Sequence, residues 1–227
     1  MKNNLSTAAA LLLGSVCTPA FAQNTVDVGV INNKDVTVVQ KLLYPKAGGQ
    51  EYGAHLAVMP FDAYTITPAA AITVAHHFRE DMGVEAVIMG GYGMKSSTYK
   101  ELEAPPYGVA PDAYGFLGSA MVDFQWSPIY AKMNVAGRRI FHHDVFFTAG
   151  TGMTMEQAIQ PDSTTTTSPT FGASVGLRVF TGKNYAFRIQ LRDDLLIQKR
   201  TKTADTQGTF LKQNVSLVIG MSKLGGK

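Results

Sequence analysis

The chain alternates polar and apolar residues in roughly eight separate stretches, which are joined by turn residues and loops. The clearest stretch, 214–222, carries its apolar residues at odd positions: Val215, Leu217, Ile219 and Met221. A period of two puts alternate side chains on opposite faces of a β-strand. The pattern therefore predicts an all-β protein whose strands each have one apolar and one polar face.

The predicted strands cover about 51–60, 69–79, 84–94, 115–126, 142–153, 171–181, 185–197 and 211–222. Between them we expect long loops at 95–114 and 154–170 and a charged loop at 198–209. The stretch 127–141 has no clear period, because Pro128 interrupts pairing and Gly137-Arg138-Arg139 is typical of a turn. Loop lengths roughly alternate between short and long, as they do in a membrane barrel with a different environment at each end.

The N-terminus has the features of a cleaved secretory signal. Lys2 supplies the positive charge, the apolar core runs from Ala8 to Val16, and Ala20-Phe21-Ala22 is a small-x-small cleavage site. Cleavage after Ala22 also removes Cys17, which leaves the mature chain without disulfides or thiolate chemistry. The predicted organisation is a signal peptide at 1–22, a periplasmic N-terminal segment at 23–49, a barrel at 50–222 and a C-terminal tail at 223–227.

Composition narrows the choice of fold. The net charge is only +3 and the basic residues are scattered, so we expect no nucleic-acid partner. No segment after the signal has about 18 consecutive apolar residues, the length of a membrane helix. A membrane protein without such helices has to be a closed barrel. The two alternatives are a transmembrane antiparallel up-and-down barrel of about eight strands and a soluble secreted β-sandwich acting as a binding module.

The polar faces carry charges of both signs on different strands. Acids lie on the first, third, fourth and fifth predicted strands, and His77, Arg79 and further arginines lie on the second, sixth and seventh. An eight-stranded barrel is narrow enough for side chains to fill it, and charges buried there have to be paired. We therefore predict a lumen salt-bridge network formed by Glu51, Glu85, Asp123, Asp144, Arg178, Arg188 and Arg192.

Three features favour the membrane barrel over the sandwich. The polar faces are rich in Gly, Ala and Ser, which suits a crowded interior, and lysine is concentrated in loops. The apolar faces carry aromatic residues near the predicted strand ends, as in the interfacial girdle of a membrane barrel. These aromatic residues are Tyr52, Phe78, Trp126 and Phe171.

Several short segments resemble the myxobacterial-type outer membrane β-barrel domain family. They are Met59-Pro60-Phe61-Asp62-Ala63-Tyr64, His76-His77-Phe78, Trp126-Ser127-Pro128-Ile129-Tyr130-Ala131-Lys132, Phe141-His142-His143-Asp144 running into Ala149-Gly150-Thr151-Gly152, and Arg192-Asp193. The resemblance covers roughly residues 33–222. It implies a small outer-membrane barrel of a Gram-negative envelope, in contact with outer-membrane lipid and the barrel assembly machinery, and it adds other envelope proteins as partners.

Candidate chemistry along the chain is sparse. Adjacent histidines in a strand, His76-His77 and His142-His143, point to opposite faces and cannot chelate one ion from one side. The long loops contain Ser96, Ser97 and Asp112 but no histidine to act as a base. We therefore expect no metal site, no cofactor and no enzyme activity.

The predicted function is that of an integral outer-membrane barrel with a packed, salt-bridged lumen and a structural or partner-binding role in the cell envelope. A small outer-membrane transport channel is the alternative within the same fold.

Overall fold

The computed structural model describes residues 43–135, 139–159, 164–181, 184–203 and 206–225. All of them belong to one compact unit, Leu42–Lys227. The predicted signal peptide and residues 23–42 lie outside the described residues, so these predictions remain predictions.

Within the described ranges the chain forms nine strands and one helix. They are β1 Gln50–Met59, β2 Thr65–His77, β3 Met82–Gly91, β4 Met94–Lys95, α1 Ser97–Glu103, β5 Tyr114–Val135, β6 Arg139–Ala158, β7 Thr165–Phe180, β8 Tyr185–Thr203 and β9 Thr206–Gly225.

The eight long strands among these form a closed antiparallel ring. Their order is β1-β9-β8-β7-β6-β5-β3-β2, and pairing between β1 and β2 closes the circle. Apart from β4, which pairs with the first residues of β2, every long strand neighbours the next one along the chain. The predicted all-β up-and-down barrel is confirmed, and a single closed ring excludes the β-sandwich alternative.

The two ends of the ring differ. We call the end that contains Gln50 and Gly225, which pair with each other, the terminal end. The opposite end, which we call the loop end, carries the long β3–β5 connection with β4 and α1. There Ser96 caps α1 by accepting a hydrogen bond from the backbone N–H of Tyr99 at 3.2 Å, and Tyr99 is fully buried.

Side chains alternate between the two faces of the ring as the period of two predicts. Apolar residues such as Leu56 (67% exposed), Ile72 (58%) and Val122 (57%) point outwards. Charged and polar residues point inwards, where Glu51, Arg178 and many others are buried. This arrangement inverts that of a soluble barrel and leaves an apolar belt which only lipid can cover favourably.

Aromatic residues of the belt gather at the terminal end. Phe78 lies 6.3 Å from Phe124 and Trp126 lies 6.0 Å from Phe147, measured between ring centroids. Phe171 also points outwards, but it lies in the middle of β7 and not at a strand end as predicted. No helix among the described residues is long and apolar enough to cross a bilayer.

The structure contradicts the prediction that 127–141 is a connection between strands. β5 continues to Val135 and β6 begins at Arg139, so most of this stretch is a paired hairpin. Pro128 lacks an N–H, and the chain accommodates it with a shift in register between Trp126 and Ile129, after which pairing resumes. The predicted turn at Gly137-Arg138 lies outside the described residues.

Other predicted loops are also shorter than expected. β6 and β7 together take up most of the loop predicted at 154–170, and β8 and β9 take up most of 198–209. β9 runs to Gly225, past the predicted strand end at 222, because the tail pairs with the start of β1. Polar, threonine-rich sequence without an apolar face is compatible with strand structure where a neighbouring strand supplies the pairing.

A glycine in the wall makes room for an aromatic ring in the lumen. Phe146 is fully buried inside the barrel, and a Cβ atom at Gly176 of the neighbouring strand would overlap its ring. We expect Gly176→Val to lower the free energy of unfolding by about 1–3 kcal/mol because it overpacks this contact. Urea unfolding in detergent micelles, followed by the fluorescence of the single tryptophan, measures the change.

The matched control is Gly90→Val. A Cβ atom added at Gly90 would meet no atom within 4 Å, and the residue faces the apolar exterior. We expect little change there, and an equal loss in both variants would contradict a filled lumen.

Candidate functional site

The candidate site is the interior of the barrel, where three acidic side chains meet two arginines. The Arg188 guanidinium lies 2.6 Å from Glu85 and 3.5 Å from Glu51. Arg178 lies 3.3 Å from Glu51 and 3.4 Å from Asp144. Glu51 therefore joins two arginines into one network, which we call the lumen charge cluster; its members are Glu51, His77, Glu85, Asp144, Arg178, Arg188 and Lys46.

Every charge of this cluster is removed from solvent. The side chains of Glu51, Asp144 and Arg178 are 0% exposed. His77 adds a donor to the same carboxylate, with its Nε2 2.9 Å from Glu51 Oε2. Burial at this level is tolerated only because each charge has partners of opposite sign within hydrogen-bond reach.

An aromatic ring lies beneath the two arginines. The Arg188 guanidinium carbon is 4.6 Å from the centroid of the Phe146 ring, and that of Arg178 is 5.1 Å away. A cation over the face of a ring is attracted by its quadrupole, more so away from water. Phe146 thus both fills space and holds the two guanidinium groups opposite the acids.

A second charge group lies further along the lumen. Arg192 Nη1 is 2.5 Å from Asp123, and its Nε is 2.8 Å from Asp194. A Cβ atom at Gly172 would lie 2.6 Å from Arg192 Nη2, so the absence of a side chain there leaves room for the guanidinium. This group uses strands β5, β7 and β8 and is separate in contacts from the lumen charge cluster.

Residues 43–49 close the terminal end from inside. Lys46 Nζ reaches 2.5 Å from Asp144, and the backbone N–H groups of Lys46 and Ala47 donate to Glu80 at 2.8 and 3.1 Å. Burial lowers the pKa of the Lys46 ammonium below its ordinary value of 10.5, against the opposing charge of Asp144. Tyr44 stacks on Phe180 with ring centroids 4.8 Å apart, which anchors the segment across the mouth.

An apolar layer fills the part of the lumen towards the loop end. Its members are buried side chains of β1, β2, β3, β5 and β9: Ala57, Met59, Ala71, Met89, Phe116 and Val218. They come from inward positions that are polar elsewhere on the same strands. This apolar layer lines one side of the lumen, because the buried inward residues of β6, β7 and β8 include polar ones such as Thr154, Thr170 and Arg192.

A third polar group closes the loop end. Lys212 Nζ lies 2.8 Å from Glu156 and 3.2 Å from Asp62, which belongs to the β1–β2 loop. Asn214 donates to Glu156 at 3.2 Å, and the side-chain amide of Gln198 is also bonded to it. The group ties the loop between β1 and β2 to β6 and β9.

The structure places all seven predicted lumen residues inside the ring and in ion pairs. Five of them, Glu51, Glu85, Asp144, Arg178 and Arg188, form the lumen charge cluster, while Asp123 and Arg192 pair apart from it. Arg79, which the alternation put on the same face as His77, is instead 65% exposed in a turn and pairs with Asp81.

Sequence reasoning missed several members of the site. Lys46 stands in a segment without a period, and Asp194, Glu156 and Lys212 fall in or beside predicted loops and strand ends. The inward position of Phe146 follows from its place between Val145 and Phe147, and that alternation was the available signal. Among the described residues no group of three or more His, Cys, Asp or Glu side chains could hold a metal ion.

The closed ring, the apolar belt and the charged interior define an integral β-barrel of the outer-membrane type with a filled lumen. No family model matches the chain and no curated protein matches it significantly. The resemblance to the myxobacterial-type family thus stays a prediction.

Solved structures of small outer-membrane barrels are similar to this chain in fold. The N-terminal barrel domain of OprF from Pseudomonas aeruginosa shares 11% identity over 78% of this chain and 98% of its own, with a TM-score of 0.48. OprG from the same organism shares 11% over 82% and 100%, with a TM-score of 0.48. Neisserial surface protein A shares 9% over 77% and 95%, with a TM-score of 0.46. A likeness at this level concerns the fold alone.

We expect Arg188→Leu to lower the free energy of unfolding by about 3–5 kcal/mol, because it leaves Glu85 and Glu51 buried with fewer partners. The control is Arg79→Leu, which breaks an exposed ion pair worth less than about 1 kcal/mol. Denaturant unfolding in micelles compares the two variants with the parent chain. Equal losses would show that the buried pairs do not stabilise the fold.

The ion pair at the loop end makes stability depend on pH. Burial by itself raises the pKa of Asp62, but the charge of Lys212 and the N–H of Tyr64, 2.9 Å away, bring it below the ordinary 3.8. A carboxyl whose pKa is lower in the folded state stabilises the protein above the unfolded pKa, and loses this effect as pH falls through the folded one.

Asp62→Asn should therefore reduce stability at pH 7 by up to about 1 kcal/mol, and the difference from the parent chain should vanish towards about pH 2. Unfolding midpoints measured across this range test the expectation. A difference that stays constant with pH would contradict the assigned ion pair.

Proposed function

We propose that this chain is an integral outer-membrane barrel that conducts no solutes and has a structural or partner-binding role in the cell envelope. The observation that carries the proposal is the filling of the lumen by ion-paired and apolar side chains. The lumen charge cluster occupies the terminal end, the apolar layer and the Arg192 group lie further along, and the Lys212 group lies at the loop end.

The side chains inside the ring support a closed barrel. A channel needs a continuous wet path lined by polar groups that are free to solvate a solute. Here each charged side chain of the lumen charge cluster is ion-paired with another member, and the apolar layer adds hydrocarbon, with Met89 and Phe116 each 3% exposed. Neither the lumen charge cluster nor the apolar layer offers a solute a favourable environment, which argues against the alternative of a small transport channel.

We assign the terminal end to the periplasm and the loop end to the outside. Short connections face the periplasm in bacterial barrels, whereas longer ones face outwards. The connection between β2 and β3 spans only residues 78–81, while the β3–β5 connection at the loop end contains a strand and a helix. The apolar belt supports outer-membrane lipid as a partner, and insertion of a closed barrel into that membrane implies the barrel assembly machinery as another.

Membrane integration is tested by fractionation. We expect the protein to stay with the membrane when envelopes are washed with alkaline carbonate, because its outward side chains contact lipid. Its migration in detergent gels should change on heating, since the closed ring resists unfolding in detergent. Release into the soluble fraction would refute an integral barrel.

Conductance tests the closed lumen. We expect the folded chain to give no steady current in planar bilayers, and Phe116→Ala to remain closed as well because the lumen charge cluster is left intact. Recordings are made on protein whose folding has been checked by heat-dependent migration. A steady large current from the parent chain would refute the proposal and favour transport.

A further inference from the structure

The hairpin of β5 and β6 extends past its neighbours at the terminal end. Pairing between β3 and β5 ends at Met82 opposite Trp126, whereas β5 goes on to Val135. On the other side β7 pairs with β6 only as far as Phe180 opposite His142, whereas β6 begins at Arg139. β5 from Ile129 onwards and β6 before His142 therefore extend beyond the described strands on either side of them.

Among the described residues, no strand pairs with this edge of the hairpin over 129–135. Ser127 still donates its N–H to the Asp81 carbonyl at 2.7 Å, but from Ile129 onwards the described strand pairing of β5 is with β6 alone. A free strand edge presents alternate N–H and C=O groups that bind another extended chain. In hydrocarbon such unpaired groups would cost several kcal/mol each, so this segment lies in water.

The side chains of the hairpin are apolar and basic. Ile129 and Met133 are each 51% exposed and Ile140 is 65% exposed. Lys132 is exposed between them, and between Asp123 and Asp144 the sequence contains basic residues but no acidic one. The edge thus offers backbone hydrogen bonds, apolar contacts and positive charge together.

The competing explanation is that these residues shield the strand edge against pairing with another chain. Strand edges are commonly shielded by lysine, proline and bulges. Pro128 and the register shift lie before the free segment and do not interrupt it, and Lys132 is the only described charge within residues 129–135. Shielding also leaves unexplained why Ile129 and Met133 are half exposed in a segment that meets water.

We propose that the free edge of β5 binds an extended acidic polypeptide segment of a periplasmic protein as an added β-strand. Acidic residues on such a strand complement Lys132, and intervening apolar residues cover Ile129 and Met133. Positive charge on every copy opposes pairing of this edge with a second copy of the chain. The inference rests on the proposed partner-binding role, and it names the surface and the chemistry of the partner.

The experiment uses the full mature chain in detergent micelles and two labelled probe peptides. One is Val-Asp-Val-Glu-Val-Asp-Val-Glu, and the other has lysine at each acidic position. We expect the acidic peptide to bind at least about tenfold more tightly by fluorescence anisotropy, because its charges oppose those of the hairpin. Hydrogen exchange should show slower exchange at residues 129–135 on binding, and no change in α1.

Variants distinguish peptide binding at this edge from general electrostatic attraction to a basic protein. Lys132→Glu should weaken binding of the acidic peptide at least about tenfold, and Lys132→Gln should weaken it less. Lys100→Glu, which reverses an exposed lysine of α1 at the other end of the barrel, should have no effect. Folding of each variant is checked by heat-dependent migration.

Equal binding of the two peptides, equal losses in Lys132→Glu and Lys100→Glu, or binding without protection of residues 129–135 would each overturn the inference. So would protection of this edge without peptide that rises with protein concentration, which would identify a second copy as the occupant. A chain that fails these tests but stays closed in bilayers would leave the proposed closed barrel intact.

Discussion

Pairing of charges inside the ring is the constraint on which the rest of the structure depends. Glu51 from β1 meets Arg178 from β7 and Arg188 from β8, so one carboxylate connects the first strand to two strands more than 100 residues further along the chain. An unpaired charge in this interior would cost far more than the few kcal/mol by which proteins are stable. Closing the ring in the correct register is therefore the only arrangement that satisfies the inward faces.

The period of two predicted the fold and the inward set of charges, because strand alternation is a local property of the sequence. It could not predict which charges meet, since Arg188 reaches Glu85 only through the stagger of a closed sheet. The position of Lys46 in the lumen could not be predicted from alternation, because Lys46 belongs to a segment without a period of two. Pro128 indicates an end of pairing when only the sequence is considered, although one shift in register lets the strand continue.

The apolar layer shows that the lumen is not filled by polar side chains alone. Met59, Met89 and Phe116 occupy inward positions of strands whose other inward residues are polar, so alternation alone assigns them no purpose. Their purpose is clear once the ring is closed. The apolar layer and the segment 43–49 both help to exclude water from the lumen, and a drier interior strengthens the ion pairs of the lumen charge cluster.

A barrel whose centre is inert must act through its surfaces. The belt between the ends faces lipid, and the charged side chains of the interior are buried in ion pairs, so the two rims are the surfaces open to a partner. At the loop end Lys212 binds the β1–β2 loop to the ring, and the Ser96 hydroxyl binds the β3–β5 connection to that loop by donating to the Ala63 carbonyl. At the terminal end no described strand pairs with the outer edge of β5 beside Lys132. A strand edge can satisfy its hydrogen bonds with any extended chain, and the charge beside it selects which one. We therefore propose the rim that we assign to the periplasm as the place where this barrel selects a partner.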